Sequence, residues 1–315
     1  MRSIESIENL RGIRCPIHMA VGMFDGVHIG HQAVIRACRT TARESQGCAA
    51  VLTFWPHPSK LLRPDNPTPQ ILTPAAKRWA MARIGMDYLI TLPFDQQFAQ
   101  IPADGFIPHI KAAVPTLRSL FVGEQFRFGK GRSGDVSALQ KMAASAGIHV
   151  FSMQQCRYDG ESISSTRIRN ILGAGKFNDL RILLGHPYTA VGNLVHGRGI
   201  GRQIGFPTLN IDWQPDLQPP HGVYAIRLLR DGSQASMEGV ANYGLRPTFG
   251  ANLNPVLEVF LFGDPATIGT FDEGKELAVE MLHFIRPETR FENPEALTRQ
   301  IALDVEHAKR IIPTL

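Results

Sequence analysis

The chain has 315 residues, more than one domain usually holds, and its 43% hydrophobic and 19% charged residues are enough for two apolar cores. A net charge of +5 suits anionic partners such as phosphorylated small molecules. The basic residues are scattered rather than clustered, which argues against a nucleic-acid partner, and nowhere do eighteen apolar residues run together, which argues against a membrane span.

Along the chain, Glu5 and Glu8 interrupt the stretch where a secretion signal would need unbroken apolar residues, so a cytoplasmic protein is expected. Between residues 17 and 185, short apolar runs alternate with helical stretches. Ile17–Phe24, Cys48–Phe54, Asp87–Phe94, Ser119–Gly123 and Ile148–Met153 read as buried strands. His31–Gln46, Pro74–Ile84 and Val136–Ala146 read as helices, closed by Gly47, Gly85 and Gly147; Thr73-Pro74 is a helix start. This alternation predicts a Rossmann-like parallel sheet with its ligand at the C-terminal ends of the strands. Cys15, Cys38, Cys48 and Cys156 form no CxxC pair and no zinc spacing, and read as free buried thiols in a reducing compartment.

After Pro187 the pattern changes. Tyr188–His196, Phe206–Trp213, Gly222–Arg230, Met237–Tyr243, Val256–Phe262 and Leu277–Phe284 read as six closely spaced strands with no helix between them. Arg230-Asp231-Gly232-Ser233 is a hairpin turn signal. A helix starting at Asn293-Pro294 closes the chain, its stripe of Leu297, Ile301, Val305, Ala308 and Ile312 facing the barrel. The expected fold class is α/β: an N-terminal domain on a parallel sheet, residues 1–186, and a C-terminal six-stranded antiparallel β-barrel with a terminal helix, residues 187–315. The helical region 166–184 leads into the junction.

Chemistry is carried by two regions, the first of them in two pieces. Gly22-Met23-Phe24-Asp25-Gly26-Val27-His28-Ile29-Gly30-His31 lies where the first strand meets the first helix. Its glycines let backbone approach a ligand, the helix start presents N–H groups, and His28 and His31 can donate to phosphate oxygens. The HxGH pattern resembles that of nucleotidyltransferases that transfer adenylate from ATP; a zinc site at the two histidines lacks further ligands. Ile163-Ser164-Ser165-Thr166-Arg167-Ile168-Arg169 follows the last strand of this half. Ser165 and Thr166 suit a helix cap, and the same helix start, with Arg169 one turn on, suits ATP phosphates. Gly129-Lys130-Gly131-Arg132-Ser133-Gly134 matches GxGxxG literally, but it follows the fourth strand and has Gln154 where a dinucleotide site places an acid. Gly123–Lys130 fails as a P-loop on spacing, with Gly131 where a hydroxyl residue belongs.

The second region runs from Gly192 to Gly205, with glycines at 197, 199 and 201 between and Arg198 and Arg202 interleaved, followed by Phe206-Pro207-Thr208-Leu209-Asn210. In a strand Thr208 and Asn210 share a face, so a hydroxyl and an amide carbonyl can bind one cation beneath a glycine flap that holds phosphates. Glu258, an acid in the apolar run Val256–Leu261, either faces solvent or serves as a base toward the flap.

Taken together, GMFDGVHIGH (22–31), TFWPHP (53–58), VGEQFRFGKGRSGD (122–135), ISSTRIR (163–169), LGHPY (184–188), HGRGIGRQIGFPTLNI (196–211), GVYA (222–225), GVANYGLRPTF (239–249), LEVFL (257–261) and IRPETRF (285–291) make the chain similar to prokaryotic bifunctional riboflavin kinase/FMN adenylyltransferases over its whole length. The resemblance implies that the first domain is a nucleotidyltransferase that converts FMN to FAD. The barrel would phosphorylate riboflavin, with Mg²⁺ and ATP used throughout. His28, His31, Ser165, Thr166 and Arg169 match ATP-phosphate ligands, within a nucleotide site that includes Gly22, Phe24, Asp25, Gly123 and Gln125. Gly197, Gly199, Gly201, Arg202 and Gly205 match the kinase flap, Thr208 and Asn210 its Mg²⁺/ATP pair, and Glu258 its general base. Three departures stand out. Gln125 replaces Asp or Asn, Leu209 replaces a small residue and is expected to point away from the Mg²⁺ face, and Phe271-Asp272-Glu273-Gly274 replaces Asp-Leu-Tyr-Gly. The rival reading is an adenylyltransferase whose barrel only binds flavin or regulates.

Overall fold

The computed structural model describes residues 1–197, 199–229, 236–245, 255–263 and 271–315. The hairpin turn expected at Arg230–Ser233 and the flap residue Arg198 lie outside the described residues. The chain forms two compact units, Met1–Gln70 with Lys77–Ser165, and Ile71–Ala76 with Thr166–Leu315.

The first unit is built on six parallel strands: β1 (Arg2–Ile4), β2 (Ile17–Val21), β3 (Cys48–Trp55), β4 (Tyr88–Pro93), β5 (Leu117–Gly123) and β6 (His149–Met153). Their spatial order is β1-β4-β3-β2-β5-β6. From β2 the chain steps outward to β3 and β4, then returns to the other side of β2 for β5. The crevice at the C-terminal ends of β2 and β5 is therefore the switch point, where open α/β sheets receive ligands. All five residues of β2 are buried, and since alternate side chains point to opposite faces, both faces of the sheet are covered there. Leu10, Ile17, Met19, Leu52, Ile90, Leu120 and Val122 are among the residues of its core. A two-stranded ribbon, β7 (Arg157–Tyr158) with β8 (Glu161–Ser162), precedes the helix Ser165–Gly173.

The helix Pro74–Ile84 falls where the sequence places it, and Ile29–Glu44 and Val136–Ser145 start or end within two residues of expectation. The helix Ala103–Ala113 is harder to read, because Gly105 and Pro108 lie inside it, yet Phe106, Ile107, Ile110 and Ala113 bury one of its faces. Gly47 is required by close approach: a Cβ there would lie 2.5 Å from the Pro16 carbonyl oxygen.

The reading of four free thiols is corrected. Cys15 and Cys48 form a disulfide, while Cys38 and Cys156 are free. The cause is the parallel pairing of β2 with β3, which sets Ile17 opposite Cys48 and bonds the Cys48 N–H to the Pro16 carbonyl at 2.8 Å. Cys15 thus comes within 6.2 Å of Cys48, Cα to Cα, inside the range a disulfide spans. The thiols no longer argue for a reducing compartment.

The second unit carries a closed barrel of β9 (Tyr188–Val195), β10 (Leu209–Asp212), β11 (Gly222–Leu229), β12 (Ser236–Leu245), β13 (Pro255–Leu261) and β14 (Glu276–Pro287), in the order β10-β13-β12-β11-β14-β9. All neighbouring strands are antiparallel. β10 begins at Leu209 rather than Phe206, as Pro207 has no N–H for the ladder. The expectation of no helix between the strands is also corrected: Ile200–Gln203 makes a single helical turn. The terminal helix Pro294–Ile311 is capped by Asn293, whose side-chain oxygen accepts the Ala296 N–H at 2.8 Å. Ala308 and Ile312 pack with Val223, Ala225, Val240 and Leu282. The helix Phe177–Leu184 belongs to this unit, its Phe177 ring 5.1 Å from Tyr224.

Candidate active sites

In the first unit the chain leaves β2 at Val21 and passes through three residues with positive φ, Phe24 (45°), Gly26 (87°) and Val27 (44°), before the helix Ile29–Glu44. His28 is the N-cap of that helix, its Nδ1 accepting the His31 N–H at 3.3 Å. The two imidazoles stack with centroids 3.5 Å apart, and Phe24 meets His31 edge-on at 5.4 Å. Gly30 leaves room for this stack, since a Cβ there would lie 3.2 Å from His28 Cε1. Burial pushes His28 down to about 4. His31 is driven well below its ordinary value, by burial first and then by the nearby His28 and Lys77 charges. Both rings are therefore neutral at physiological pH. With Nδ1 of His28 engaged as an acceptor, its proton is assigned to Nε2, a donor available to an anionic ligand.

These rings open onto a cavity of about 260 Å³ at the switch point, lined also by Gly22, Gly123, Gln125, Met153, Cys156 and Ser165. The ends of β2, β5 and β6 thus all contribute. Ser165 opens its helix, and its hydroxyl donates to the Asp25 carbonyl at 2.9 Å. Thr166 follows and Arg169 lies one turn on, both in the second compact unit, whose boundary falls after Ser165. Asp25 is 2% exposed, beside the Lys77 ammonium. Gln125, the departure from the family pattern, donates to Gln155 at 3.4 Å.

A second cavity of about 750 Å³ shares Gly22, Met23, Gln125 and Phe126 with the first. Phe54, Phe94, Phe98, Phe106 and Phe128 give it an aromatic wall, and Arg63, Arg127 and Arg132 line it too. Sequence reading missed this cavity. TFWPHP and the phenylalanines of VGEQFRFG are its traces, but their convergence from several elements is a tertiary fact. Gly129 and Gly131 of the GxGxxG match border this cavity.

In the barrel, strand register assembles the site. Glu258 on β13 stands opposite Asn210 on β10 and opposite Asn242 on β12. Thr208, one residue before β10, joins these three in lining a cavity of about 480 Å³, while Leu209 does not. Gly199 and Gly201 of the flap line the same space. The flap needs glycine for contact reasons. A Cβ at Gly197 would lie 2.0 Å from Asn210 Nδ2, and one at Gly201 2.3 Å from the Phe206 carbonyl oxygen. Gly205 turns the chain with φ 86°, and Arg202 is exposed on the helical turn. The Thr208 hydroxyl and the Asn210 amide carbonyl are hard oxygen donors of the kind Mg²⁺ prefers, with the Glu258 carboxylate in the same cavity.

Several lining residues escaped sequence reading. Arg286 reaches Asp304 through Nε at 2.9 Å and Nη2 at 2.7 Å, and Gln300 adds a bond to the same carboxylate at 2.9 Å. This buried fork ties the terminal helix to β14 beside Leu297, Ile301 and Phe291. IRPETRF marked the region without revealing the partner, which lies eighteen residues on. Glu273 turns instead to His196, 3.0 Å from its Nδ1 at the foot of the flap, and does not line the cavity among the described residues.

The FAD synthetase family model matches residues 12–167, and the riboflavin kinase model matches residues 184–312. The bifunctional riboflavin kinase/FMN adenylyltransferase of Escherichia coli K12 is 35% identical over 286 residues, 91% of this chain and 90% of that protein. The Haemophilus influenzae protein of the same name is 35% identical over 309 residues, 98% of each chain. The chain belongs to this bifunctional family. A crystal structure described as a macrolide-efflux protein from Streptococcus pneumoniae superimposes with a TM-score of 0.79 at 27% identity, covering 98% of both chains. Efflux is said of that protein; among the described residues here, no helix is long and apolar enough to cross a membrane. Within the family frame, the boundary between the two matched models falls in the region of the helices that follow Ser165.

Proposed function

We propose that the two cavity systems divide the synthesis of FAD from riboflavin and ATP. The barrel region, residues 187–315, phosphorylates riboflavin to FMN, and residues 1–186 adenylylate FMN with release of pyrophosphate. The observation that carries this reading is the presence of two complete polar sets, each in its own cavity: His28 with His31, and Thr208 with Asn210 and Glu258.

In the barrel, Glu258 takes the proton of the ribityl 5′-hydroxyl as that oxygen attacks the γ-phosphate. Thr208 and Asn210 would hold Mg²⁺, which supplies charge neutralisation at the phosphates when bound. The flap backbone closes over the nucleotide, and the wall of Phe291, Leu297 and Ile301 shields the flavin side from water. In the first unit the FMN phosphate attacks the α-phosphate of ATP. The neutral imidazoles of His28 and His31 donate to phosphate oxygens as charge builds on the departing pyrophosphate. The aromatic cavity takes the isoalloxazine ring, with its arginines toward the FMN phosphate. ATP as co-substrate supports a cytoplasmic enzyme.

The reading is tested by incubating the protein with riboflavin, ATP and Mg²⁺ and separating flavins by chromatography. Both FMN and FAD are expected, and EDTA should stop both. FAD made from added FMN, with no FMN made from riboflavin, would reduce the barrel to a binding or regulatory module.

A further inference from the structure

The loop that carries the histidines adopts a conformation its side chains resist. Phe24 and Val27 both have positive φ, and for a β-branched residue that conformation persists only where the surroundings enforce it. The enforcement is visible, since three loop carbonyls are taken by side chains from outside. Met23 accepts from Lys77 Nζ at 2.9 Å and from Thr53 Oγ1 at 3.0 Å. Asp25 accepts from Ser165, and Val27 from Gln32 Nε2 at 2.9 Å. Of these four donors Lys77 alone is charged. It is 4% exposed, and Thr53 is wholly buried. Lysines are almost never buried so deeply without a specific partner, and this ammonium, with the Asp25 charge nearby, donates to the Met23 carbonyl and to the Thr53 hydroxyl at 3.4 Å.

We infer that Lys77, with Thr53 beside it, is a positioning residue for adenylyl transfer: it anchors the Met23 carbonyl and so holds the strained loop that delivers His28 and His31. The inference rests on the reading of those histidines as phosphate donors. Lys77 lines neither cavity itself but bonds the carbonyl of Met23, which does, so in that reading it acts through the loop. Burial brings Lys77 down to about 8, opposed by Asp25, which leaves it mainly protonated at neutral pH and able to donate. Thr53 shares the acceptor without the charge, so the pair separates anchoring from electrostatics.

The test uses the full chain carrying Lys77→Met, Thr53→Val or Thr53→Ser, with FMN adenylylation and riboflavin phosphorylation measured on the same preparation. Lys77→Met should lower the adenylylation kcat by about tenfold or more with little change in the ATP KM, because misplaced transition-state donors cost rate rather than binding. Thr53→Val should lower it by about threefold or more, and Thr53→Ser, which keeps the hydroxyl, should restore it. Riboflavin phosphorylation should be unchanged in all three. Normal adenylylation in Lys77→Met and Thr53→Val overturns the inference, as does a loss confined to the ATP KM or one matched by equal loss of kinase activity. If Lys77→Met is insoluble, the Thr53 pair decides: wild-type kcat in Thr53→Val overturns it. The doubly substituted His28→Ala/His31→Ala chain separates the two levels. FAD synthesis retained there refutes the histidine reading. FAD synthesis lost there but kept in the Lys77 and Thr53 variants refutes only the anchoring role.

Discussion

In the first unit, His28 and His31 ride on a loop with positive φ at Phe24, Gly26 and Val27, held in shape by side chains from four other positions. In the barrel, Asn210, Glu258 and Asn242 stand in register on three adjacent strands, held by the backbone ladder itself. A ladder fixes position with backbone hydrogen bonds that side-chain substitution leaves intact, whereas a strained loop is only as accurate as the side chains that grip it. The barrel site should therefore lose function through its own reacting groups, and the loop site through groups that never touch substrate as well.

The largest effect should come from Glu258→Gln. The amide fits the same space on β13 but cannot accept the ribityl proton, so riboflavin phosphorylation should fall by about a thousandfold. FAD synthesis from added FMN should stay at the wild-type rate. A kinase rate within a few-fold of wild type would remove Glu258 as the base.

His28→Ala with His31→Ala should follow, lowering FAD formation by about a hundredfold or more while FMN accumulates from riboflavin. Equal loss of both activities in a folded variant would contradict two independent sites.

Acid should expose a third, smaller difference. The folded-state value of His28 is pushed down to about 4 from an ordinary 6.5. Between those values the unfolded chain binds more protons than the folded one, so the contribution is full above pH 6.5 and is lost as pH falls toward 4. By pH 5.5 about 1.4 kcal/mol should be gone from this group alone, roughly tenfold in the unfolding equilibrium. Denaturant melts of wild type and His28→Ala at pH 7.5 and 5.5 measure it. An equal pH slope in both would mean that the imidazole is not held neutral.

What the sequence discloses follows the same contrast. Six barrel strands and the HxGH turn were legible because alternation, glycines and histidines lie close together in the chain. Glu258 could be picked out but not oriented, since only the register with Asn210 and Asn242 shows that it faces the cavity. The Cys15–Cys48 bond, the aromatic cavity and the Arg286–Asp304 fork were hidden for one reason: each joins elements whose neighbourhood is set by the whole fold. Lys77 was hidden more thoroughly, inside a helix with nothing local to mark it, and Thr53 opens TFWPHP without any sign that its hydroxyl reaches the histidine loop.

The smallest expected effect concerns Glu273, where the family pattern has tyrosine. The turn itself survives: Gly274 takes φ 77° and its N–H donates to the Leu194 carbonyl at 2.9 Å. Glu273 and His196 make their contact in solvent, 67% and 89% exposed, and such a pair contributes little. Replacing it should therefore cost the flap almost nothing, while a ring offers a flavin-side stacking surface worth about 0.5–1.5 kcal/mol. Glu273→Tyr should lower the riboflavin KM, or slow FMN release, by about two- to tenfold, with the ATP KM nearly unchanged. His196→Ala breaks the same contact without adding a ring, and should leave both KM values where they are. If both variants instead move the ATP KM together, the His196–Glu273 contact steadies the nucleotide flap. The departure at Glu273 would then belong to the ATP side of the barrel rather than the flavin side.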